Sequence, residues 1–128
     1  MDQVQVNDGR AKPRFGMVYA SDLTSEEVKG LRPVAFRVWI VLTTYTDRSG
    51  GWAISLLRIA DDAGISGTAH TRKATVRKAV DELEAAGLVY RTAGRNPAGT
   101  GQGWNRYELR TPPSVLAAEG GGESPPGG

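Results

Sequence analysis

Thr71-Arg-Lys-Ala-Thr-Val-Arg-Lys-Ala-Val-Asp-Glu-Leu-Glu-Ala-Ala-Gly-Leu-Val-Tyr-Arg-Thr92 is the stretch that decides the fold. Val76, Val80, Leu83 and Leu88 recur at helical spacing, so one stripe of a helix is apolar. Gly87 stops that helix and Leu88 to Ala93 reads as a strand. The charge order is unusual. Arg72, Lys73, Arg77 and Lys78 fill the first turns, and Asp81, Glu82 and Glu84 follow. A helix macrodipole favours the reverse, with anions near the N-terminus and cations near the C-terminus. A polyanion docking on the N-terminal half accounts for this order; a solvated face with an accidental sequence of charges is the other reading.

Outward from this helix, the basic excess stays in the same half of the chain. Between Gly67 and Arg110 there are eight Lys or Arg and four acids, although the whole chain carries only +2. Positive charge gathered on one part of a small domain is the footprint of nucleic-acid binding. Twelve of the sixteen basic residues are Arg, which suits bidentate contacts to phosphate or guanine and equally suits a GC-rich genome. The chain has no cysteine and a single histidine, which excludes disulfides and argues against a protein-bound metal; no cofactor is expected. No apolar run approaches the roughly 20 residues of a membrane span and no secretory leader is evident, so a cytoplasmic location is predicted.

At 128 residues the chain is the size of one domain with tails. Residues 1–16 read as a disordered or arm-like segment, 17–110 as the folded domain and 111–128 as a disordered Pro/Gly-rich tail. Thr24 to Glu27 has capping-box spacing for a short helix ending at Gly30. Pro33 opens a longer helix reaching about Asp47. That helix is apolar on two sides. Val34, Val38, Val41, Leu42 and Tyr45 form one stripe, and Phe36, Trp39 and Ile40 another. The second stripe is either covered by Met17 to Leu23 or offered as a dimer or partner face. Trp52 to Ile54 reads as a short strand, Ser55 as the N-cap of a helix over 56–63, and Gly64 as its stop. Gly94 to Gly103 reads as the tip of a hairpin closed by residues 104–110, with Tyr107 and Leu109 facing inward.

Helix, short strand, helix, turn, helix and hairpin, in this order, resemble the winged helix-turn-helix domains of phage and plasmid replication proteins and related bacterial regulators. Val38 to Asp47 is similar to that family's first helix, and Ser55 to Ser66 to its second helix and turn. Ala74 to Val89 is similar to its recognition helix and first wing strand, and Asn105 to Leu109 to its closing strand. The resemblance covers roughly residues 33–110. It implies an α+β fold, a three-helix core with a β-hairpin wing. In one place the chain departs from the family: Gly67 to Arg72 lengthens the turn before the recognition helix. Either the two helices meet at a different angle or the recognition helix starts earlier; the extra residues either add DNA contacts or form a tolerated surface loop.

The implied function is sequence-specific binding of double-stranded DNA by a regulator or a replication-associated factor of a phage or plasmid. The helix over 72–86 would lie in the major groove and the basic wing over 91–106 on the backbone or minor groove. Arg77 is the first candidate for base readout, with Thr75 and Lys73 next. Arg72 and Lys78 are candidates for phosphate, Lys78 alternatively pairing with Glu82. His70 and Thr71 belong to the lengthened turn, and Arg91, Arg95, Asn96 and Arg106 to the wing. The rival reading is a protein-interaction or assembly module using Phe36, Trp39 and Ile40, with a homodimer as one form. Catalysis is not expected, because triad, paired-carboxylate and phosphate-loop spacings are absent and no small-molecule substrate is evident. Asp61 and Asp62 point to different sides of one helix and read as surface charge.

Overall fold

A computed structural model describes residues 15–45, 52–92 and 105–123. It is α+β, with six helices and an antiparallel β-hairpin. α1 (Ala20–Leu23) and α2 (Glu26–Lys29) are single turns that lead into α3 (Pro33–Thr43). β1 (Trp52–Ala53) precedes α4 (Leu56–Ala63) and the long α5 (Ala69–Ala85); β2 (Val89–Thr92) and β3 (Arg106–Leu109) follow, then α6 (Pro113–Glu123). The sheet order is β1-β3-β2, with Arg91 opposite Tyr107 and Val89 opposite Leu109.

The core forms where α3, α4 and α5 pack on one another and the hairpin closes the remaining side. Val38, Leu42, Ile59, Val76, Val80, Leu83, Leu88 and Tyr107 are all fully buried. The apolar stripe of α5 predicted from spacing is therefore its core face. Burial also pushes the Tyr107 phenol above its ordinary pKa, because the charged form loses its water.

Local chemistry sets the helix ends. Ser55 caps α4 by accepting the Arg58 N–H at 3.1 Å. Gly64 ends it at φ +73°, a left-handed conformation that suits glycine. At the end of α5 the Leu88 N–H returns to the Leu83 carbonyl and the Gly87 N–H to that of Glu84, a Schellman closure. Gly87 lies at φ +77°, and a Cβ there would stand 2.8 Å from Pro113 Cγ.

Four expectations need correction. Ser25, not Thr24, caps α2, accepting from Val28 at 3.2 Å. Its intended partner Glu27 instead receives the Ser114 N–H at 2.8 Å and hydroxyl at 2.6 Å, which leaves its carboxyl below the ordinary value. Secondly, residues 113–123, expected as part of a disordered tail, form α6, anchored by that carboxylate and by buried Pro112. Thirdly, Trp39 is only 3 % exposed and Phe36 and Ile40 are partly buried against the core, so this stripe is not a free face. Chain near Gly16 covers α3, since a Cβ at Gly16 would run into the Thr43 carbonyl. Met17, Tyr19 and Leu23 nevertheless stay exposed. Fourthly, Val34 is exposed, at the edge of the stripe it was assigned to.

Candidate nucleic-acid interface

α5 starts three residues earlier than the 72–86 read from the resemblance. Thr68 is its N-cap, accepting the Thr71 N–H at 3.2 Å, and the helix runs from Ala69. His70, Thr71 and Arg72 therefore lie in its first turn and not in a loop. Most of the stretch Gly67 to Arg72 is thus helix, from Ala69 on.

Two of the predicted DNA contacts are turned inward. Arg72 donates from Nε to the Ile65 carbonyl at 3.0 Å and pairs through Nη2 with Asp61 Oδ1. It fastens the turn between α4 and α5, with its side chain only 21 % exposed. Arg91 is withdrawn in the same way. Its guanidinium meets Asp81 Oδ1 at 2.7 Å and Glu84 Oε1 at 2.9 Å, and its backbone N–H donates to Glu84 Oε2 at 3.0 Å. Partial burial opposes the charge, but the Asp81 hydrogen bond and the two carboxylates outweigh it and raise the pKa. The anticipated Lys78–Glu82 pair does not form. Glu82 accepts the Arg32 N–H at 2.8 Å and its Nε at 2.9 Å, which lowers the Glu82 pKa.

These pairings change what the charge order of α5 means. The acids of its second half are occupied by Arg32 and Arg91, brought from the start of α3 and from β2. In three dimensions cations do sit at the C-terminal half of the helix, as the macrodipole prefers. What stays uncompensated is the first half.

His70, Lys73, Arg77 and Lys78 make no ion pair among the described residues. His70, Arg77 and Lys78 are exposed and Lys73 is half-buried. They surround Ala74, an exposed residue opposite the buried Val76, Ala79, Val80 and Leu83. From His70 to Lys78 the rise of about 1.5 Å per residue gives a face about 12 Å long. Thr75 is half-buried and its hydroxyl donates to the Thr71 carbonyl at 2.9 Å, while the Thr71 hydroxyl bonds to Thr68. Both are therefore weaker candidates for base contact than Arg77.

Arg106 is exposed on β3, opposite Thr92 and Ala53, and takes part in an interaction of its own. Arg95 and Asn96 lie outside the described residues. Asp61 and Asp62 do diverge: one pairs with Arg72, the other with Tyr45 and Arg58. Among the described residues no group of three His, Cys, Asp or Glu is placed to hold a metal ion, and no helix is long and apolar enough to cross a membrane.

The contribution of Arg32 was not legible in the sequence, since it lies 50 residues from Glu82. Comparison with protein-family models, characterised proteins and solved structures returned no match.

Proposed function

We propose that the protein binds double-stranded DNA as a winged helix-turn-helix domain, laying the first half of α5 in the major groove. One observation carries this reading: the acids of α5 are paired with arginines from other elements, whereas Lys73, Arg77 and Lys78 remain without ion-pair partners on or beside its outward face. A solvated structural helix has no need to segregate its charges so. A major groove about 12 Å wide admits a helix, and residues of its N-terminal half reach base edges. Arg77 is assigned to base readout, Lys73 and Lys78 to phosphates and His70 to the entry of the helix. The hairpin β2–β3 takes the place of the wing. Binding without catalysis fits a regulator or a replication-associated factor of a mobile element.

The test is a titration of fluorescent duplexes, random and genome-selected, across salt concentrations. Salt-dependent binding with a preferred sequence supports the proposal; binding that ignores salt overturns it.

A second reading, a protein-interaction module, is favoured by one feature. Phe15, Met17 and Tyr19 are each more than half exposed along an extended segment. This segment replaces Phe36, Trp39 and Ile40 as the partner face, and its test is concentration-dependent gel filtration with and without DNA.

A further inference from the structure

We propose that Arg91 is a positioning residue. It holds the hairpin at a fixed attitude to α5 through Asp81 and Glu84, and duplex affinity depends on it although it does not touch DNA. The proposal rests on the DNA-binding reading for its functional half and on geometry alone for the other half.

The hairpin is seated on the core by Leu88, Val89, Tyr107 and Leu109 and is extended by β1. One side chain and one backbone group add a directional polar tie between β2 and α5. β2 pairs with β3 on one edge. On its other edge, the Arg91 N–H points to Glu84, so a side chain of α5 occupies a strand-edge donor. The Arg91 guanidinium then returns toward α5 and joins Glu84 to Asp81, one turn apart. Three hydrogen bonds, all to carboxylates, span helix and strand at 2.7 to 3.0 Å. Hydrogen bonds to charged groups are the stronger class, and here one nitrogen, Nη2, donates to both carboxylates and joins them. The Arg91 side chain is 22 % exposed, less than those of Arg32, Arg58 and Arg110 in their ion pairs, although its partner Asp81 is largely exposed.

The same three groups give the proposal a test of sign. Asp81 and Glu84 are negative charges on a helix proposed to face phosphates. Removing them favours DNA by electrostatics alone. If they act by holding Arg91, their removal disfavours it.

The experiment measures duplex affinity of the full chain carrying Arg91→Gln, Asp81→Asn with Glu84→Gln, and all three together. Arg91→Lys serves as the conservative variant. Each of the first two is expected to weaken binding about three- to tenfold, with no further loss when combined, as for residues acting as one unit. Arg91→Lys is expected to recover part of the loss. Tighter binding by the carboxylate variant overturns the proposal, as does additive loss in the combination.

Amide hydrogen exchange on the same variants is the readout independent of DNA. Faster exchange over Val89–Thr92 with α3 and α4 unchanged supports the clamp; unchanged exchange in the hairpin overturns it. Should the wild type fail to bind any duplex, the DNA reading falls while the exchange result still decides the clamp.

Discussion

Glu82 caps the backbone of Arg32 at 2.8 Å while pairing with its side chain at 2.9 Å, so one carboxylate on α5 fixes where α3 begins. Arg32 is the N-cap position of α3 and has no side chain able to cap it. Glu82→Gln keeps the shape and loses the charge. With the guanidinium side largely exposed and screened, the expected loss is about 1 kcal/mol. For a domain of this size that corresponds to roughly 4 to 8 °C in Tm, read by thermal unfolding.

Acid should unlatch the fold at two places. The Ser114 hydrogen bonds lower the Glu27 pKa, and the Arg32 N–H does the same for Glu82. For carboxyls whose folded pKa is depressed, the stabilisation is complete above the unfolded value of about 4.5 and is lost as pH falls through the folded values. Urea midpoints measured from pH 6 down to pH 3 are expected to decline most steeply at the acid end. The double variant Glu27→Gln, Glu82→Gln should flatten that decline, and an unaltered profile would reject the assignment.

Arg77 and Arg72 should part company although both lie on α5. Arg77→Ala is expected to cost roughly 1 to 3 kcal/mol in duplex binding and to relax sequence preference. With Lys73 and Lys78 as the helix cations on phosphate, the slope of log affinity against log salt should be about −2 from the helix alone. Arg72→Ala should leave that slope alone and lower Tm instead, because its guanidinium is spent on Ile65 and Asp61. A slope that drops by about one unit in Arg72→Ala would return it to the DNA face.

Gly87→Ala combines two penalties. The residue is left-handed at φ +77°, and its new methyl would stand 2.8 Å from Pro113 Cγ. The expected loss is at least about 1 kcal/mol. α6 should loosen with it, visible as faster exchange in residues 113–119.

Much of this arrangement is local and could be read from the chain. Ser55 and Gly64 fix α4 because a hydroxyl cap and a left-handed stop act within one turn. Val76, Val80 and Leu83 reveal the inner face of α5 because helical spacing needs no partner to be recognised. What escaped was non-local. An arginine can be aimed outward at phosphate or inward at a carboxylate, and nothing within a turn of Arg72 or Arg91 decides between them. Their partners lie 11, 10 and 7 residues away. The start of α5 stayed open between two readings because Thr68 lacks a Glu or Gln three residues on; Thr71 stands there. α6 was missed because Gly120 to Gly122 resemble a tail, while the carboxylate anchoring the helix is 87 residues distant.

That distance has a practical consequence. Glu27 and Ser114 knot the early and late parts of the chain together, and Pro113 rests on Gly87, just past the end of α5. Arg77 lies ten residues before Gly87, about 15 Å back along the helix. A fluorophore placed near Pro113, at the start of α6, would thus sit at the opposite end of α5 from the cations. The clasp thus ties the late chain to the fold at a point distant from Lys73 and Arg77.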